Sequence, residues 1–283
     1  MGFSQYSASH TNYTFILLQP PYNFKRFLLI VFIRKSYIVR KEVIRKSLVL
    51  FIASIPIIYY NRQIEYREES FMKKQKQAAN LLIGIIFTLF FISTSVIIVI
   101  NSRFLYRMDV DFLHLSENSG YSKEVITRNY DVLIDYCSPF NDGELRFPDL
   151  PSSESALSHF AEVKVIFVAM YYIAVVTGIL LIFIILQKRK KNEYRYLKTA
   201  SLTCIILPAI VGIASMINFD KTFILFHKLV FSNDDWLFNP STDPIILLLP
   251  EAFFMHCAIA IVLLVLIGSG LLYWFYRRRR NAL

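Results

Sequence analysis

The chain is short of the residues that build several common protein classes. Eight glycines in 283 residues, with no internal period and no Gly-rich run, exclude collagen-like and repeat architectures. Cysteines number three: Cys204 and Cys257 fall inside apolar runs and Cys137 stands alone, so no disulfide framework is implied. Charged residues make up only 18% of the chain against 55% hydrophobic, which fits neither a soluble globular domain nor a mostly disordered chain. P-loop, HExxH, CxxC and Gly-x-Ser-x-Gly spacings are all missing. Nucleotide use, a zinc centre and a serine-nucleophile hydrolase therefore have no motif behind them, and the expectation is of no cofactor and no metal.

What the chain has is long apolar runs, with a mean hydropathy of +0.45. Four of them, Leu81 to Ile100, Val165 to Leu186, Ala200 to Phe219 and Ala252 to Tyr276, are long enough to cross a hydrocarbon core, which takes about 20 helical residues. Helices are expected, because a lone strand in lipid leaves its backbone polar groups unpaired. Pro208 and Gly212 in the third span predict a bend or a close helix contact. The net charge of +10 sits beside these spans and so records orientation rather than nucleic-acid binding. Lys188, Arg189, Lys190, Lys191, Arg195 and Lys198 flank a single acid, Glu193, between spans two and three, and the chain closes on Arg277 to Arg280. Both of these segments are expected on the cytoplasmic side, as are Lys73, Lys74 and Lys76 before span one, giving a multi-pass protein with both termini inside.

Residues 101–164 and 220–251 are then extracytoplasmic. The first carries eleven acids against six Lys and Arg, the reverse of the inner segments. Within it, Met108, Val110 and Phe112 alternate with Asp109 and Asp111, a period-2 pattern expected of a strand carrying His114 at its end. Ser122 is placed to cap an amphipathic helix through Tyr136 that buries Val125, Ile126, Leu133 and Ile134. Gly143 to Phe147, closed by Pro148, reads as a second extended piece. The expected fold is a mainly α membrane protein: a four-transmembrane-helix bundle with a small extracytoplasmic cap containing β-strands.

Residues 1–71 fit this plan poorly. They hold ten Lys and Arg, and their apolar stretch, Ser47 to Tyr60, is interrupted by Pro56 and short for a span. If it spanned alone, every later segment would be inverted against the charge pattern. Met72, followed by Lys-Lys-Gln-Lys and an apolar helix, looks like a natural start, which makes 1–71 a non-native extension and 72–283 the functional domain. A basic interfacial segment is the alternative reading.

Five histidines are present, and two lie where the outer segments meet the membrane. His159 sits in the entry turn of span two, and His227 follows span three. These spans are consecutive and antiparallel, so two imidazoles 68 positions apart can face one pocket. An ionisable group near membrane depth is expensive unless it serves a site or finds a partner. Glu162, three residues past His159, shares its helix face and could set its tautomer. Asn233 and Asp234 either make a turn or cap, or orient an imidazole and donate to an oxyanion. Trp236 is an interface anchor or a substrate contact. His256, inside span four with no acid near it in sequence, reads as a packed core histidine. His10 lies in the doubtful extension.

The strings Asn129-Tyr-Asp-Val-Leu-Ile-Asp-Tyr136, Leu145-Arg-Phe-Pro-Asp-Leu-Pro-Ser-Ser153, Leu157-Ser-His-Phe-Ala-Glu-Val-Lys164 and Phe226-His-Lys-Leu-Val-Phe-Ser-Asn-Asp-Asp-Trp-Leu-Phe-Asn-Pro240 resemble those of the lipoprotein intramolecular transacylases. The resemblance runs in register from about Met72 to the end, and residues 1–71 have no counterpart in it. It implies a bacterial plasma-membrane enzyme whose partners are diacylglyceryl-modified lipoproteins and membrane lipids. Such an enzyme moves the sn-2 acyl chain onto the lipoprotein's own N-terminal amine, giving the lyso-form. It also implies His159 and His227 as the essential pair, with Tyr130 and Arg146, inside the matching strings, among the supporting residues. A non-catalytic sensor or scaffold acting through the acidic cap is the rival reading; it requires both histidines to be replaceable without chemical consequence.

Overall fold

The computed structural model describes the backbone of residues 41–281 and the side chains of residues 59, 60 and 62–281. Most of what was expected of residues 1–71, and His10 with it, lies outside the described residues. The chain divides into two compact units, Met1–Phe71 and Met72–Leu283; apart from the start of the first helix, every residue discussed below belongs to the second.

Nine helices are described: α1 (Lys41–Ile100), α2 (Arg103–Phe112), α3 (Leu115–Ser119), α4 (Lys123–Tyr136), α5 (Glu154–Lys190), α6 (Arg195–Ile217), α7 (Phe219–Val230), α8 (Ile245–Leu248) and α9 (Glu251–Arg280). Four are long and apolar enough to cross a membrane: Arg62–Ile100 within α1, then α5, α6 and α9. The protein is thus a mainly helical, multi-pass membrane protein. Its long helices carry charge where the peptide dipole favours it. Glu154 opens α5 behind the Ser153 cap, and Lys188, Arg189 and Lys190 close it; Glu251 opens α9, and Arg277 to Arg280 close it. Large side chains such as Val175, Ile179, Ile182 and Phe183 remain exposed on α5, as lipid-facing residues do.

The spans meet through small residues. Ser269 Oγ on α9 donates to Ser201 O on α6 at 2.7 Å, Thr203 of α6 crowds Gly84 of α1, and the Phe91 ring lies where a side chain on Gly268 of α9 would go. Around these contacts Ile83, Phe87, Leu181, Leu197, Ala200, Cys204 and Val265 form the bundle core. Of the bend or close contact expected at Pro208 and Gly212 in span three, no contact is made at Gly212, where among the described residues nothing stands in the way of a side chain. The crowded glycines, Gly84, Gly178 and Gly268, sit on the first, second and fourth spans.

The cap is helical, and no strand occurs among the described residues. Met108 to Phe112, expected as a strand, belongs to α2. Its inward residues are Tyr106, Asp109 and Val110, spaced three and four apart, whereas Met108 and Phe112 are exposed. The alternation misled because an acid points inward and two large apolar groups point outward. Ser122 does cap α4, its Oγ accepting from Val125 N, and Ile126, Leu133 and Ile134 are buried on the helix face. Gly143 to Phe147 is irregular, held by Gly143 N donating to Asn141 Oδ1 at 2.8 Å and by burial of Leu145.

Polar bonds lock the cap together. Tyr106 stacks on Tyr130 at 3.6 Å and donates to Leu248 O at 2.8 Å. Arg103 pairs with Asp131 and Asp135 at 3.1 and 2.6 Å, and Asn129 donates to Asp149 at 2.8 Å. His256, with no acid near it in sequence, has one in the fold. Its Nδ1 lies 2.8 Å from Asp109 Oδ1, an acid brought from α2, 147 residues away. Ser153 N donates to Asp243 Oδ1 at 2.7 Å, tying the start of α5 to the loop before α8.

Candidate active site

The Ser153 cap sets the phase of α5. Its first buried positions are Ala156, His159 and Phe160, spaced three and four apart, so one face of the entry turn carries the imidazole inward. A second cap does the same for α7, where Asn218 Oδ1 accepts from Lys221 N at 2.8 Å. His227 then falls in the last turn of this short helix, with its side chain buried. The two rings meet with their centroids 6.0 Å apart and their planes tilted by 35°.

Aromatic rings enclose the pair. Phe231 lies edge-on to His159 at 4.7 Å and stacks on His227 at 5.6 Å, Phe238 meets His159 edge-on at 5.5 Å, and Trp236 lies 4.8 Å from His227. Phe223 covers the remaining side of His227 at 4.2 Å. These phenylalanines escape sequence reading because in a chain this apolar a phenylalanine that walls a site looks like one that faces lipid.

The imidazoles differ in how they are held. His227 Nδ1 donates to the Phe223 carbonyl at 2.8 Å. A carbonyl can only accept, so in the neutral ring the proton sits on Nδ1 and Nε2 presents its lone pair. Burial pushes the His227 pKa below 6.5, partly offset by that carbonyl bond, so the ring is neutral at physiological pH. His159 Nδ1 is buried without a hydrogen-bond partner among the described residues.

The polar residues beside the pair are arranged differently from expectation. Glu162 does not orient His159: its Oε1 accepts from Asn233 Nδ2 at 2.9 Å, 71 residues along the chain. Asn233 Oδ1 accepts from Asp235 N at 3.1 Å, so this amide ties a loop to a carboxylate. Asp234 makes the turn, its carbonyl accepting from Leu237 N at 3.0 Å. Trp236 reaches the pair, and its Nε1 is buried without a partner among the described residues. Tyr130 and Arg146 lie elsewhere. Tyr130 is in the cap core against Tyr106 and Phe253, and Arg146 pairs with Glu144 at 2.8 Å on the surface. A cavity of about 290 Å³ is lined by Glu162, Val165, Ile166, Val230, Phe231 and Ser232, and shares Phe231 with the imidazole pair. Among the described residues no three His, Cys, Asp or Glu side chains converge on a metal position.

Residues 81–254 match the family model described as lipoprotein intramolecular transacylase Lit. The chain is similar to the solved structure of the membrane integral lipoprotein intramolecular transacylase Lit from Bacillus cereus: 38% identity, a TM-score of 0.71, and coverage of 74% of this chain and 98% of that one. Two mutant structures of the same Bacillus cereus protein, with a histidine replaced by arginine in one and by alanine in the other, match at 39% identity. Their TM-scores are 0.67 and 0.65, with coverage of 76% and 75% of this chain and 97% and 96% of theirs. No curated relative matches the chain.

Proposed function

Since this chain belongs to the lipoprotein intramolecular transacylase family, a family of acyltransferases, we propose that it transfers the sn-2 acyl chain of an S-diacylglyceryl-cysteine lipoprotein to that residue's own α-amine. The observation that carries this reading is the buried imidazole pair, 6.0 Å apart, in an aromatic box whose Phe231 also lines a cavity. Solved relatives with a single histidine replaced point the same way.

The nucleophile is an α-amine of pKa about 7.7 to 8.0, for which an imidazole is a suitable base. His227, with Nδ1 fixed on the Phe223 carbonyl, offers Nε2 for that proton. The amine nitrogen attacks the ester carbonyl, closing a ring of roughly eight atoms that the walls of the pocket hold folded back. The Trp236 indole N–H is the donor available to the carbonyl oxygen as it gains charge. The C–O bond then breaks, and the sn-2 oxygen takes a proton relayed through His159, leaving an amide and a free hydroxyl. This assigns the base to His227 and leaves Asn233 to hold the loop. Ester-to-amide transfer runs downhill, so no nucleotide is consumed.

The Lys and Arg clusters at the ends of α5 and α9 support placing both termini in the cytoplasm of a bacterial cell and the imidazoles at the outer face of its plasma membrane. The product is an isomer of the substrate, so total mass does not report the reaction. Incubating the purified chain with a diacylglyceryl lipopeptide should remove the amine-reactive N-terminus and give N-acyl fragment ions. A lipopeptide that keeps its free amine would overturn the proposal.

A further inference from the structure

Glu162 holds a buried carboxylate whose second oxygen has no partner, and the cations near it are engaged elsewhere. Oε1 accepts from Asn233, a neutral amide, while Oε2 is fully enclosed and unpartnered among the described residues. The adjacent base, Lys164, donates to Asn141 O at 2.5 Å and lies over the Tyr136 ring at 4.2 Å. An enclosed carboxylate oxygen is costly to leave unbonded, and a donor of positive charge is its best partner. Glu162 sits one helical turn from His159 and forms the polar end of a cavity whose other walls are Val165, Ile166, Val230, Phe231 and Ser232.

We infer that Glu162 Oε2 is the docking point for the α-amino group of the substrate's N-terminal cysteine. The inference rests on the proposed acyl transfer. The amine arrives partly as ammonium, donates one N–H to Oε2, and sheds its extra proton to water. The neutral amine keeps its bond to Oε2 while its lone pair turns to the ester carbon. As the C–N bond forms the nitrogen passes a proton to His227 Nε2, the C–O bond breaks, and the sn-2 oxygen takes up that proton by way of His159. Asn233 positions the carboxylate, and the apolar walls take the thioether and the start of an acyl chain. The site selects a free N-terminus over an acylated one, so the product amide, which carries no positive charge, leaves it.

The test uses the full chain and a dialkylglyceryl lipopeptide, whose ether links cannot be transferred, in free-amine and N-acetyl forms. The native protein should bind the free-amine form roughly ten- to a hundredfold more tightly, the size of one charge-assisted bond. Glu162→Gln should abolish that preference and leave N-acetyl binding unchanged. With the reactive diester lipopeptide, the same change should raise KM by a similar factor while kcat moves little. Equal binding of the two ether ligands to the native protein overturns the inference even if Glu162→Gln fails to fold, and so does an unchanged preference in the variant. If the native protein prefers the free amine yet leaves the diester substrate unacylated, the amine site stands and the proposed reaction falls.

Discussion

The cap and the imidazole pocket are both rich in polar groups, yet they use them differently. In the cap, charges answer one another: Arg103 with Asp131 and Asp135, Arg128 with Asp149, His256 with Asp109. Its buried unpartnered atoms include Arg103 Nη1 and Asp109 Oδ2, each on a group that already has an ionisable partner. In the pocket, His159 Nδ1, Glu162 Oε2 and Trp236 Nε1 are all buried and, among the described residues, unpartnered. A polar group that is paired inside the protein stabilises the fold, while one held ready without a partner is available to a substrate.

Substitutions should separate the two regions. The largest expected effect is in the pocket. His227→Ala or His159→Ala should lower acyl transfer by about 10²- to 10⁴-fold, measured by loss of the reactive amine, with little change in the melting temperature. Full activity in either variant would break the contrast. Asp109→Ala should do the reverse. It strips His256 of its buried partner, so unfolding should become easier by about 1 to 3 kcal/mol, while turnover per folded molecule is kept; a selective loss of turnover would move this pair into the machinery. Gly268→Leu forces a side chain into the Phe91 ring and should destabilise by about 1 to 3 kcal/mol in thermal melts, whereas Gly212→Leu, with nothing in its way, should be silent. An NMR titration should place the His227 pKa below 6.5, because burial opposes the charged ring and only one carbonyl bond favours it. Acid therefore protonates this ring only below its usual range, and a value above 6.5 would contradict its burial. Arg146→Ala, exposed on the cap surface, should change neither turnover nor melting.

The spans were legible because lipid imposes one rule on every residue of a long run, and composition alone reports it. The Ser122 cap was legible because capping is local. The cap's helical character was not: α2 buries Asp109 and exposes Met108 and Phe112, so hydrophobicity along that segment does not report which way a side chain points. The two imidazoles were legible as a candidate pair, since histidine is scarce and both stand at span ends, and the fold brings their rings together. Their supporting residues were only partly so. Glu162 and Trp236 reach the pocket, whereas Tyr130 and Arg146, named with them, belong to the cap.

From the amino-acid order alone came the four apolar helices, their charge asymmetry and the two histidines, because each depends on local composition or on residues a few positions apart. Only the folded chain decided which acid partners which base. Asp109 reaches His256 across 147 residues, Asn233 reaches Glu162 across 71, and Asp243 reaches Ser153 across 90. Hydrogen bonds act over about 3 Å, so they are set by where helices end and which faces they turn to one another, and that is a property of the packing.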